Sequence, residues 1–196
     1  MIERHSISSQ SFADDTQLLD SCHPDHLDTT VQRMRNCISE VKLWMDCNKL
    51  KLNDDKTGSI LIKSDRIKLP ESAPTSIRVG NSDMPFVTHA RNLGITISSN
   101  TTMDKHVANI CRSAYFELRR ISSLRHLVTV SATKTLLSAF VLSKLDYCNS
   151  LLCGSPQFML DKLQRVQNSA ARLAMKPDKC DHVQPLLRSL HWLPVH

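Results

Sequence analysis

Apolar residues recur along this chain with two periods, and the change from one to the other organises it. Leu27, Val31, Met34, Ile38, Val41 and Met45 follow at alternating intervals of four and three, one continuous stripe on a helix predicted over 25–48. The stripe is short for a coiled-coil seam and suits a helix packed on a sheet. Ahead of it, residues 11–19 set two acids between short apolar flanks, which suits a hairpin with the acids at its turn. Behind it, residues 54–58 carry polar turn chemistry, and the β-branched run Ser59-Ile60-Leu61-Ile62-Lys63 reads as a strand. Residues 65–75 hold Pro70 and Pro74 and read as a loop, whereas 76–80 and 92–97 read as short strands, a candidate pair.

From residue 101 the pattern is helical only. Val107, Ile110, Ala114, Leu118 and Ile121 share one face of a helix over 104–124. Ser131 is the expected N-cap of a second helix carrying Leu136, Leu137, Phe140, Val141 and Leu145. Ser155-Pro156 places a cap and a first-turn proline before a third, with Leu160, Leu163, Val166, Ala170 and Leu173. A short fourth is expected over 182–190. The predicted class is α+β: a small antiparallel sheet with a long packed helix over 1–100, then a helical bundle over 101–196.

Composition narrows this. The 196 residues are 41% apolar and 22% charged, near globular averages, and only 4 are glycine, which excludes low-complexity and collagen-like chains. No apolar stretch is long enough to span a membrane, so no membrane partner is expected. The first residues lack the apolar core of a secretory signal, and an intracellular location, cytoplasmic or nuclear, is expected. Seven cysteines at irregular spacing, none in a C-x-x-C pair, read as buried or half-buried thiols on helices; zinc through Cys180, His182 and His191 is the alternative. Charge changes the picture more. Residues 104–176 hold 11 Lys/Arg against 4 Asp/Glu, while the remainder holds 14 against 15. A positive field confined to one region attracts polyanions, although a solvated basic face gives the same count.

Asp14-Asp15 is the sharpest chemical feature. Adjacent carboxylates repel, and a divalent cation relieves the repulsion; Mg²⁺ takes one or two carboxylates plus substrate phosphates. Most such pairs are nonetheless solvated turns, the expected role of Asp54-Asp55.

The surroundings of the pair are more specific. Phe12-Ala13-Asp14-Asp15-Thr16-Gln17-Leu18 resembles the [YF]-A-D-D box of reverse transcriptases, particularly those of non-LTR (LINE-type) retrotransposons. Trp44-Met45-Asp46-Cys47-Asn48-Lys49-Leu50-Lys51-Leu52-Asn53-Asp54-Asp55-Lys56-Thr57 is similar to the W-x-x-x-N-x-L-x-L-N-x-x-K-T segment that follows that box. Asn92-Leu93-Gly94-Ile95 is similar to the L-G hairpin of the primer grip. Ser143-Lys144-Leu145-Asp146-Tyr147-Cys148-Asn149-Ser150, Leu163-Gln164-Arg165-Val166-Gln167-Asn168-Ser169-Ala170-Ala171-Arg172 and Leu190-His191-Trp192-Leu193-Pro194-Val195 resemble the helical region behind the polymerase in jockey/CR1/L2-type elements. The blocks stand in family order and span essentially the whole chain.

The resemblance implies a palm fragment and a thumb-like helical part of a two-metal nucleotidyl transferase that copies an RNA template from a DNA primer. Asp14 would ligate the catalytic Mg²⁺ ions and Asp15 would assist, lowering the pKa of the primer 3′-hydroxyl and stabilising the pyrophosphate leaving group. Lys56 would protonate or neutralise that leaving group; a solvated loop lysine is the equal alternative. Leu93 and Gly94 would shape the primer-holding hairpin. Arg112, Arg119, Arg120, Lys134, Lys144, Arg165 and Arg172 are candidate phosphate contacts, some of them merely solvated. Tyr115 and Tyr147 would stack on a base or pack with the hydroxyl at the surface. Trp44 reads as a core anchor.

The family also requires an earlier catalytic aspartate and fingers strands, and thirteen residues precede Asp14. The expectation is therefore a truncated element copy or a reading frame begun at an internal methionine, binding Mg²⁺ weakly or not at all and inactive alone. Two readings from other classes stand beside it. One is a non-enzymatic nucleic-acid-binding helical module over 101–196. The other is a non-functional translated relic with exposed sheet edges.

Overall fold

The computed structural model describes residues 2–53, 56–79, 82–176 and 181–195. It is mixed helix and sheet, with small antiparallel hairpins on either side of a long helix and only helices after residue 104. The elements are β1 (Ser8–Phe12), β2 (Asp15–Leu19), α1 (Leu27–Cys47), β3 (Ser76–Val79), β4 (Ser82–Pro85), β5 (His89–Asn92), β6 (Ile95–Ser98), α2 (Asp104–Leu124), α3 (Val130–Leu137), α4 (Ser143–Asp146), α5 (Gln157–Met175) and α6 (Val183–Leu190). Two compact units result: Met1–Ala90 with Ser98–Thr101, and Arg91–Ile97 with Thr102–His196.

In the first unit, β1 and β2 pair in register from Ser8↔Leu19 to Phe12↔Asp15. Each has only the other as neighbour, so the hairpin depends on its two flanks, both of which are tied to α1. On the far side of β2, Asp20, its side chain 8% exposed, accepts from Arg33 Nε and Nη2 of α1 at 2.9 and 2.6 Å. Ahead of β1, His5 and Glu40 meet at 2.8 Å, and Ile7 is buried. The α1 stripe does face inward at its start, where Leu27 and Val31 join Ile77 and Val79 of β3. Further along it thins: Met34, Ile38, Val41 and Met45 are half-buried. Trp44 is 49% exposed and is not the expected anchor. It lies off the apolar stripe of α1.

Two strand expectations need correction. The run at 59–63 forms only an isolated bridge, Ser59 to Phe86. Val87 N–H donates to Ser59 O at 2.9 Å, and the next tie of the run is Lys63 N–H to Ser99 O at 2.9 Å, outside any ladder with 86–90. The strand β3 pairs with β4, Ile77 opposite Met84, and not with 92–97, which instead turn back on themselves as parts of β5 and β6.

The second unit has the larger core. Among the described residues, 16 buried apolar side chains form one cluster there, against 4 in the first unit. Leu118 and Ile121 of α2, Leu137, Val141 and Leu145 of the α3–α4 stretch, Leu163, Val166 and Ala170 of α5, and Leu187 of α6 all enter it. Caps fall differently from the sequence reading. Thr129 caps α3 by accepting from Ala132 N–H at 3.2 Å, in place of Ser131, and α5 begins after Pro156 without a side-chain cap from Ser155. Between α3 and α4 the chain makes a π turn over Ser138–Leu142. The wider turn carries Phe140 outward while Val141 and Leu145 stay buried, so the apolar spacing misplaces that one residue. Arg125 closes the far end of α5, its guanidinium donating to the carbonyls of Leu173, Ala174 and Val128 at 3.1 to 3.2 Å. The first two are carbonyls of the kind a helix terminus leaves without intrahelical partners.

Among the described residues no helix is long and apolar enough to cross a membrane.

Candidate functional site

The acidic pair sits where strand alternation and the two-residue turn put it. Phe12 and Asp15 close the β1–β2 ladder, leaving Ala13 and Asp14 as the loop. Ala13 has φ +54°, the position of such a turn that favours glycine, at a cost on the order of 1 kcal/mol for a Cβ-bearing residue. Asp14 and Asp15 are both exposed, Phe12 beside them is 68% exposed, and Ser11 Oγ and Thr16 Oγ1 meet across the strands at 3.2 Å. Each carboxylate is thus open to solvent at a strand-turn-strand tip. In kind the donors suit Mg²⁺; in number they are short, because among the described residues no group of three or more His, Cys, Asp or Glu gathers as a metal site.

Lys56 is exposed in a turn built on Asn53, whose carbonyl accepts from Lys56 N–H, Thr57 N–H and Thr57 Oγ1. The ion pairs of the described residues include none of Asp14, Asp15 or Lys56. Asn48 ends α1 by donating to the Trp44 carbonyl at 2.8 Å, so the W-x-x-x-N spacing is a helix stop. Asp54 and Asp55 lie outside the described residues.

In the second unit, Leu93 and Gly94 form the two-residue turn between β5 and β6, with φ +45° and +83°. Positive φ at both central residues is the turn that matches hairpin twist. Tyr147 Oη donates to the Leu93 carbonyl at 2.7 Å, and its ring edge lies 3.5 Å from where a Cβ on Gly94 would stand. Behind the turn, His106 is buried and accepts from Thr96 N–H at 3.4 Å; desolvation holds its pKa below the usual histidine value. A second polar tie joins α5 to the C-terminal segment. Gln167 Nε2 donates to Leu193 O at 2.7 Å, and Val195 N–H donates to Gln164 Oε1 at 2.8 Å.

The basic candidates divide. Arg112 and Arg119 are exposed on α2, as is Arg165 on α5. Arg120 lies 5.8 Å over the Phe116 ring and 3.2 Å from Glu117. Lys144 is turned inward, donating to Ser113 Oγ at 2.7 Å and to Glu117 at 3.4 Å. Arg172 donates to Asp181 O at 2.9 Å, and Lys134 is half-buried. Tyr115 is exposed on α2; Tyr147 serves the hairpin turn. Sequence reasoning missed Phe116, and missed Lys162, whose ammonium sits 5.0 Å over Phe158. A ring one helical turn from a cation was the available signal for both.

The thiols are not uniformly packed. Cys37 is buried and Cys111 half-buried, and burial raises both pKa values, whereas Cys22, Cys47 and Cys153 are exposed. The zinc alternative involves Cys180, which lies outside the described residues.

Comparison with family models, with curated proteins and with solved structures returned no match.

Proposed function

We propose that this chain is the latter palm and thumb-like part of a LINE-type reverse transcriptase, with Asp14 and Asp15 as half of its Mg²⁺ cradle. The observation that carries the reading is the pair's position at the exposed tip of a β hairpin. Support also comes from the motif blocks. Leu93 and Tyr147 belong to separate blocks and are hydrogen-bonded, as are Gln164 and Val195. When bound, Mg²⁺ would activate the primer hydroxyl and neutralise the leaving group. The chain's own residues present the carboxylates, shape the primer-side turn through Leu93 and Gly94, and supply cations on the helical unit.

With two carboxylates and no third acidic partner among the described residues, the 196-residue chain alone makes no DNA on poly(rA)/oligo(dT). Supplying the fingers and first catalytic aspartate of a LINE-type polymerase restores Mg²⁺-dependent synthesis, and Asp14→Asn abolishes it. Absence of restored synthesis, or synthesis indifferent to Asp14→Asn, contradicts the proposal.

A second reading, a non-enzymatic nucleic-acid-binding module, is favoured by the exposed arginines and rings on α2. It predicts affinity for nucleic acid that falls steeply with salt, with no dependence on Asp14.

A further inference from the structure

The exposed side of α2 has a composition that a solvated helix face does not require. Lys105, Arg112 and Arg119 are spaced by seven, two turns apart each time, and so share one line along the helix. All three are exposed, while Val107, Ala114, Leu118 and Ile121 bury the opposite side. Between the arginines, Tyr115 and Phe116 are also exposed, Phe116 by 53%. Two adjacent large rings left in water beside this line of cations make an apolar patch and not a single exposed residue. Glu117, the only acid between residues 105 and 124, is largely covered and turned towards Lys144 and Arg120. The outward line is therefore acid-free, and Arg120 is partly neutralised and lies over the Phe116 ring.

We propose that this face of α2 is a platform for single-stranded nucleic acid, on which Tyr115 and Phe116 stack with bases while Lys105, Arg112 and Arg119 hold phosphates. Charge complementarity selects a polyanion. The rings select strandedness: a duplex presents phosphates to such a surface and keeps its base faces stacked, whereas a single strand offers every base face for stacking. The inference rests on the nucleic-acid-binding reading of the helical unit and adds to it the face and the strand type.

The test is fluorescence anisotropy on the whole chain with labelled oligo(U), oligo(dT) and an RNA–DNA hybrid, with heparin as a base-free polyanion. Tyr115→Ala with Phe116→Ala weakens binding of both single strands roughly tenfold or more, as loss of base stacking requires. It leaves the hybrid and heparin unchanged. Tyr115→Phe with Phe116→Tyr keeps both rings, and wild-type binding with them. Arg112→Gln with Arg119→Gln weakens every ligand and lowers the salt slope for single strands by about 1.4. All these side chains are exposed, so melting curves report that the variants fold as wild type does. Hybrid binding with single-strand affinity indifferent to the rings, or an equal loss on heparin, overturns the platform alone. Wild-type binding to none of the nucleic acids overturns both the platform and the reading beneath it.

Discussion

Tyr147 and Leu93, 54 residues apart, are joined by a 2.7 Å hydrogen bond from the phenol to the turn carbonyl. The bond fixes a turn whose first central residue is a leucine at positive φ, a conformation leucine does not hold on its own account. Tyr147→Phe removes the donor without emptying the space. Amide hydrogen exchange across Asn92–Ile95 is expected to quicken in that variant while exchange in α5 stays as it was. Gly94→Ala places a Cβ in ordinary contact with the Tyr147 ring, so its cost is conformational, about 1–2 kcal/mol at φ +83°. Chemical denaturation measures that cost, and a neutral result would mean that the turn relaxes.

Ala13 is the corresponding position of the acidic hairpin. Glycine tolerates positive φ without the Cβ penalty, so Ala13→Gly raises hairpin stability by about 0.5–1 kcal/mol. Slower exchange of the Phe12 and Asp15 amides reads this out. A loss of stability would mean that the conformational freedom of glycine in the unfolded chain outweighs the relief.

His106 gives the fold a pH dependence of definite sign. Its folded pKa lies below the ordinary 6.5 because burial disfavours the imidazolium. The stability it supports is therefore complete above the unfolded value and is lost as pH falls through the lower folded value. Protonation also removes the acceptor for Thr96 N–H. The denaturation midpoint of wild type falls between pH 7 and pH 5, and His106→Gln flattens that part of the fall. An unchanged pH profile in the variant contradicts the assignment.

The two units differ in the size of their core clusters, 16 buried apolar residues against 4 among those described. Trp44 lies in the first unit and Trp192 in the second, so single-tryptophan variants report each separately. Trp44 fluorescence is expected to change at lower urea than Trp192 fluorescence. Leu163→Ala, in the larger core, costs about 2–5 kcal/mol and moves the Trp192 transition. Coincident transitions for both tryptophans would mean that the units unfold as one.

Helices were legible where apolar spacing was long and regular. The Val107–Ile121 stripe marks α2 to its ends because every third or fourth residue enters one core. The acidic hairpin was legible because two-residue turns flanked by apolar positions are a local signal. What escaped depends on distant partners. The β-branched run at 59–63 has strand propensity, but its one bridge is to Phe86, 27 residues on in the sequence. Phe140 follows the helical period until the π turn displaces it. Tyr147, Arg125 and Gln167 each bond to a carbonyl 26 to 54 residues away, and no local pattern encodes such a bond. Within the candidate site, the acids and the Leu93-Gly94 turn were visible in sequence, whereas the inward turn of Lys144 and the exposure of Phe116 required the packing of α2.

The cradle role of Asp14 and Asp15 is tested most directly by adding Mn²⁺, a paramagnetic stand-in for Mg²⁺, to the isotopically labelled chain and mapping line broadening by NMR. The account predicts broadening centred on Phe12–Thr16 at millimolar metal, weak because two carboxylates alone hold the ion. Excess Mg²⁺ reverses it, and Asp14→Asn with Asp15→Asn abolishes it. Broadening spread evenly over the other exposed acids, or unchanged in that double variant, would contradict it.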